Sequence, residues 1–171
     1  LYLPEGSHTI SATLDGEPKK VKVTVDEEAA ERLQTSLEER LSQNVKPHFD
    51  FDHAGNGPAS ARPTSFRWGT HKGKDGKERV GVLVTANWTE GGKASIRGGD
   101  YAHFSPVVVL DSDGKPSRLP ATGPIGALVN QPAFPDMPAL AASHNKTTKT
   151  KMNLTNFVQA GLLSAAEAES P

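Results

Sequence analysis

Apolar side chains in this chain recur at every second position. Val21, Val23 and Val25 alternate with Lys20, Lys22 and Thr24; Phe49 and Phe51 alternate with His48, Asp50 and Asp52; Val80, Val82, Val84 and Ala86 follow the same rule. Successive strand side chains point to opposite faces of a sheet, so this period reads as half-buried β-strands. Turn formers sit between the runs. Asp15-Gly16-Glu17-Pro18 predicts a hairpin joining residues 8–14 to 19–25, and the solvated stretch 71–77 predicts a second one joining 65–69 to 80–89. Asp111-Ser112-Asp113-Gly114 turns the Val-rich run 101–110 back towards Arg118-Leu119-Pro120, and residues 125–129 make a last short strand. Asp111-x-Asp113-Gly114 lacks the later ligands of a calcium loop and reads as a turn.

Two helical stretches interrupt the β pattern. Asp26 is placed to cap a helix whose first turn is acidic, and Ala29 or Ala30, Leu33, Leu37 and Leu41 form one narrow apolar stripe suited to packing on a sheet. It should end near Asn44, ahead of Pro47. A short helical turn is expected over residues 90–99, around Ala94 and Ile96 and closed by Gly98-Gly99.

Nineteen basic and twenty acidic residues nearly cancel, so there is no broad electrostatic footprint for nucleic acid. The absence of cysteine excludes a disulfide framework, a thiolate nucleophile and a Cys-based zinc site, and fits an intracellular protein. No apolar run approaches the roughly 20 residues that span a bilayer, and no signal-peptide pattern is present, so no membrane association is expected. The chain opens on Leu1, as expected of a trimmed or processed amino terminus. From Met137 the composition shifts: a polar, mildly basic linker leads to residues 153–167, a marginal helix or two broken at Gly161.

Candidate chemistry sits at two places. Period two puts His53 on the face of Phe49 and Phe51, at the end of a strand and before the loop 54–63. A histidine at a loop mouth is placed to move protons near neutral pH; alternatively it is a core-edge residue bonded to a carbonyl. Ser105 lies within an apolar strand, on one face with His103, Val107 and Val109. A serine nucleophile needs a base within hydrogen-bond reach, and His53 and His103 are the strand-borne candidates; a serine bonded to a neighbouring strand is the alternative. Pro106 has no N–H, so an oxyanion hole must use the Ser105 amide, a loop amide, or Arg62, Arg67 or Arg118.

Five motifs in register carry a resemblance: Leu3-Pro4-x-Gly6, Asp50-Phe51-Asp52-His53, Asn87-Trp88-Thr89, Tyr101-x-x-x-Ser105-Pro106 and Leu128-Val129-Asn130-x-Pro132. Over roughly residues 1–143 the chain resembles the Mu-like prophage I protein family of phage head-maturation proteases, and through it prohead proteases and herpesvirus assemblin. Ala102 and His103 stand where that family has Arg and Tyr, and Val129 where it has Thr.

The resemblance implies an α+β, mainly β fold, a closed or partly closed antiparallel β-barrel flanked by helices. It implies a protease domain over residues 1–136 and, over 137–171, a linker and the start of a helical scaffolding segment. It further implies a serine endopeptidase of capsid maturation with Ser105 as nucleophile and His53 as general base, and no metal or cofactor. The third member stays open among His103, Asn130, Asp50 and Asp52, strand alternation turning both aspartates away from the His53 face. Expected partners are the phage scaffolding protein and the major capsid protein, with a homodimer possible, and the expected location is the procapsid in the host cytoplasm. The small-residue stretch Ala165-Ala166-Glu167-Ala168-Glu169 is a place for self-cleavage. A non-catalytic scaffolding or assembly module of the same fold is the alternative.

Overall fold

The computed structural model describes residues 1–14 and 17–140. The hairpins appear where alternation and turn chemistry put them. Strands β2 (Gly6–Leu14) and β3 (Glu17–Val25) pair antiparallel in continuous register from Gly6↔Val25 to Leu14↔Glu17. Strands β5 (Ala61–Lys72) and β6 (Glu78–Trp88) are longer than predicted, and β5 starts inside the stretch read as loop. The short strand β1 (Leu3–Pro4) lies on the other side of β6. Gly81 sits where β1 crosses, at φ 155°, and a Cβ there would run into the Leu3 carbonyl, so only glycine admits so close an approach.

Helix α1 (Glu28–Ser42) begins as expected: the Asp26 carboxylate accepts from the Ala29 amide at 3.1 Å. Its buried stripe is Ala29, Ala30, Leu33, Ser36, Leu37 and Arg40, while Leu41 stays half exposed. The helix is stitched to the sheets by side chains reaching backbone. Gln34 Oε1 accepts from the Phe66 amide (2.7 Å), next to the bulge at Pro63/Ser65, and Ser36 Oγ accepts from the Leu119 amide (3.0 Å). Helix α2 (Glu90–Gly98) is capped by Thr89, which accepts from the Gly92 amide, and closed by Gly99 at φ 81°.

Strands β4 (Asp50–Phe51), β10 (Gly126–Val129) and β7 (His103–Pro106) form a sheet in the order β4-β10-β7. Strands β8 (Val109–Leu110) and β9 (Pro116–Arg118) pair across the Asp111 turn, whose carboxylate accepts from the Asp113 and Lys115 amides. Tyr2 sits at the centre of the core, with the Phe66, Phe104 and Phe49 rings 4.9, 5.7 and 6.4 Å away. Its hydroxyl reaches the Ile125 carbonyl (2.6 Å) and the Val107 carbonyl (3.0 Å), tying the β1-β6-β5 sheet to the sheet that carries Ser105.

The closed or partly closed antiparallel barrel is not formed. The described residues make four small sheets, β1-β6-β5, β4-β10-β7, β2-β3 and β8-β9, and none closes on itself. Closure needs one unbroken, consistently staggered ladder. Here β4 stops after two residues, it runs parallel to β10, and the line of β7 breaks after Pro106 before β8 resumes at Val109. The architecture is therefore mainly β with two helices. Met137 is buried, and the Leu140 amide donates to the Ala102 carbonyl at 2.7 Å, so the described chain stays on the body of the protein up to its end. The expected linker beyond that point, the marginal helices and the small-residue stretch near residue 166 lie outside the described residues.

Candidate functional site

The β4-β10-β7 sheet sets the positions of the site. Ala127 is in register with Asp50 on one side and with Ser105 on the other. Cα partners on adjacent strands share a face, so Asp50, Ala127 and Ser105 form a row across the sheet. On the opposite face Phe104 packs against Phe49, with ring centroids 4.7 Å apart, within the core. The Val107 amide donates to the Ile125 carbonyl, and two residues along the same ladder the Ser105 amide therefore also faces β10 and is occupied there. Pro106, between them, presents its missing N–H to the unpaired edge, where a proline is tolerated.

His53 does not continue the strand. After Phe51 both Asp52 and His53 take left-handed backbone, each at φ 55°, and the Ala54 amide donates back to the Phe51 carbonyl at 3.1 Å. Two successive left-handed residues make a tight turn, a conformation that Asp and His tolerate better than most residues. His53 is therefore an exposed turn residue, and the alternation that placed it with Phe49 and Phe51 ends at Phe51. The turn is held from two sides. Asp52 Oδ2 accepts from the Tyr101 hydroxyl at 2.6 Å, and Asp50 Oδ2 accepts from the Gly55 amide at 2.8 Å.

Ser105 and His53 line one open cleft of about 1410 Å³, walled by the β2-β3 hairpin and by the run from Pro106 through the Asp111 turn. That volume exceeds the roughly 300–1,000 Å³ of small-molecule pockets. Ser105 is only 4% exposed, so it is recessed in the wall rather than raised on it. The Ala133 amide is directed at its hydroxyl, at 3.4 Å, a long and weak contact. The His53 ring and the Ser105 hydroxyl are not hydrogen-bonded to each other.

The remaining candidates separate by their partners. The Asn130 amide is occupied on both sides: Oδ1 accepts from the Ala102 amide (3.1 Å) and Nδ2 donates to the Asp100 carbonyl (2.9 Å). His103 shares the sheet face of Ser105 but does not border the cleft, and its Nδ1 is buried without a hydrogen bond. Asp52 is engaged by Tyr101. Asp50 is fully buried, and its Oδ1 has no partner. Arg62, Arg67 and Arg118 do not line the cleft. The Ala133 amide is a loop N–H directed at Ser105 that the residue pattern could not name, since a backbone N–H leaves no mark on sequence beyond not being proline.

Among the described residues no cluster of three or more His, Cys, Asp or Glu side chains is arranged to hold a metal ion, and no helix is long and apolar enough to cross a membrane. No curated protein and no solved structure matches the chain. A family model does match, over residues 2–141, covering Ser105, His53 and every strand described above. The chain thus belongs to the phage-related family described as Mu-like prophage I protein, N-terminal domain.

Proposed function

We propose that this chain is a serine endopeptidase of phage head maturation, with Ser105 as nucleophile and His53 as general base. One observation carries the reading: the serine and the histidine border the same open cleft, with the Ala133 amide directed at the hydroxyl. A cleft of this size between a hairpin and an extended run suits a peptide in extended form better than a small metabolite. Ser105 Oγ attacks the scissile carbonyl while His53 takes its proton. The Ala133 N–H stabilises the developing oxyanion, and His53 then protonates the leaving amine. Water, activated by the same imidazole, hydrolyses the acyl-enzyme. The substrates are the scaffolding and capsid proteins enclosed with the protease in the procapsid. Peptide binding or pairing with a second copy closes the gap between imidazole and hydroxyl, as catalytic contacts often tighten only with substrate in place.

A second reading, a scaffolding module without chemistry, draws on the missing Ser105–His53 hydrogen bond and the recessed hydroxyl. Co-expression of the full chain with its capsid and scaffold proteins, followed by intact-mass measurement, separates the two. The protease reading expects truncated partners with the wild type and intact ones with Ser105→Ala. Cleavage persisting in Ser105→Ala overturns Ser105 as nucleophile. Assembly without any cleavage by the wild type favours the module.

A further inference from the structure

The buried carboxylate of Asp50 has no role in the steps above, yet its environment is unusual. It is fully buried and makes no ion pair; Oδ2 accepts one backbone N–H, from Gly55, and Oδ1 accepts nothing. Leaving one acceptor of a buried charged group unsatisfied costs on the order of 1–3 kcal/mol or more, so such an atom calls for a partner in some state of the molecule.

Position supplies one. Asp50 and Ser105 stand in the same row of the sheet, two strand spacings apart, about 9–10 Å between Cα positions. The residue between them, Ala127, carries only a methyl group. An imidazole is the size of group that bridges a carboxylate and a hydroxyl so separated. The His53 imidazole borders the cleft with Ser105 and stands on the turn that begins directly after β4 and that the Asp50–Gly55 bond already holds to the strand. Of the other candidates, Asp52 is engaged by the Tyr101 hydroxyl, Asn130 by its two backbone bonds, and His103 carries no negative charge with which to stabilise an imidazolium.

We propose that Asp50 is the positioning carboxylate of the site. With a peptide in the cleft, its free Oδ1 accepts from His53 Nδ1–H, fixes the tautomer that leaves Nε2 facing Ser105, and stabilises the imidazolium formed during attack. Asp50 touches no substrate atom. The proposal rests on the Ser105/His53 reading given above.

The test uses the full chain and a peptidyl fluorophosphonate, whose peptide arm occupies the cleft while its phosphorus reports Ser105 reactivity. Asp50→Asn keeps an oxygen for the Gly55 amide but loses the charge. It is expected to lower the labelling rate constant by about 10²-fold or more, as loss of an orienting aspartate does elsewhere. At saturating reagent, where the rate constant reports the occupied cleft, the rising limb of the rate-against-pH curve should move to lower pH, because an imidazolium without its anion gives up its proton more easily. The other titratable groups bordering the cleft, Lys20, Lys22, Asp111 and Asp113, are unchanged in this variant, as are Asp52 on the turn and His103 on β7. Unaltered labelling, or a slower rate with the limb unmoved, overturns the proposal. Should Asp50→Asn not fold, a crystal structure of the phosphonylated wild type decides: His53 Nδ1 in hydrogen-bond reach of Asp50 Oδ1 supports the assignment, and His53 bonded elsewhere ends it. Failure of Ser105 to label at all, or labelling at another residue, is a failure of the nucleophile assignment instead.

Discussion

Tyr101 donates its hydroxyl to Asp52 Oδ2 across 2.6 Å, joining the approach to β7, which carries Ser105, to the turn that carries His53. The Phe51 and Tyr101 rings, 5.4 Å between centroids, pack along the same link. The hydrogen bond to Asp52 raises the Tyr101 pKa, and burial and the negative charges of Asp52, Asp100 and Asp50 add to it. A folded pKa above the unfolded one means that the link stabilises the protein fully below the ordinary tyrosine value near 10 and is lost as pH rises through the raised value. Tyr101→Phe should therefore remove an alkaline-limb component of stability, seen as a smaller drop in Tm between pH 9 and pH 11. It should also slow fluorophosphonate labelling of Ser105 by less than about tenfold, since the turn loosens without losing its Asp50 tie. Asp52→Asn keeps an oxygen for Tyr101 and should retain most of the labelling rate. A loss comparable to that of His53→Ala would make Asp52 the orienting group and displace Asp50.

Tyr2 offers a test of how the site's sheet is anchored. Its ring is fully buried, burial pushes its phenol pKa far above the ordinary value, and its hydroxyl supplies the bond to the Val107 carbonyl. Tyr2→Phe keeps the three aromatic contacts but leaves that carbonyl short of a partner, at a loss of about 1–2 kcal/mol. Urea unfolding monitored by tryptophan fluorescence should show a lower midpoint with an unchanged slope. An unshifted midpoint would mean that the hydroxyl contributes nothing to joining the two sheets.

The parts of this fold that could be read from residues are those set by local chemistry. Alternating valines with Asp-Gly or Lys-Asp-Gly-Lys between them gave both long hairpins, and Asp26, Thr89 and Gly99 mark helix ends by bonds they make to their own neighbours. The barrel was not legible, because closure depends on which strand edges meet. Here β4 is cut short by two left-handed residues that no period reveals. The same break misplaced His53 and turned the alternation rule against Asp50. With His53 on a turn, the alternation rule no longer assigns it and Asp50 to opposite faces. The cluster Asp52-His53-Ala54-Gly55 held the signal, since Asp and His are enriched in left-handed backbone and Gly55 follows at φ 79°. Ser105 drew notice because a serine in a Val-rich run calls for a reason, whereas the Ala133 amide directed at it is visible only in three dimensions.

Asp26 joins helix α1 to the turn between β8 and β9 through one carboxylate. It caps α1 through the Ala29 amide and meets Arg32 Nη2 (2.9 Å) and Lys115 Nζ (2.8 Å), the latter from the turn between β8 and β9. The Lys115 ammonium first, and the Arg32 guanidinium after it, hold the carboxyl below its ordinary range. Because the folded pKa is depressed, the stabilisation is present above the ordinary value and is lost as pH falls through the lowered one. Loss of a cap typically costs about 1 kcal/mol and partly exposed ion pairs add about 0–1, so Asp26→Ala should destabilise by about 1–2 kcal/mol at neutral pH. The deficit should shrink as the wild type is acidified. Denaturant titrations of both proteins at neutral pH and near pH 3 check it, and a deficit that grows in acid would contradict the sign.

The turn between β5 and β6 carries the most sharply defined titration. Arg79 grips Asp75 with both terminal nitrogens, at 2.7 and 3.1 Å, and the Lys77 amide donates to Asp75 Oδ1 at 3.1 Å. The Arg79 hydrogen bond is the main cause that lowers the Asp75 pKa from 3.8 to about 2. The group is at the surface, where salt screens such pairs, so its weight in global stability is small. Its effect is on local order: the clamp persists above the ordinary carboxyl value and is released as pH falls through about 2. Carboxyl-carbon NMR on labelled protein should show Asp75 titrating near 2, and Arg79→Ala should return it towards 3.8. The Lys77 amide should lose its shifted resonance over the same range. Wild-type Asp75 titrating at the ordinary value in low salt would mean that the clamp does not form in solution.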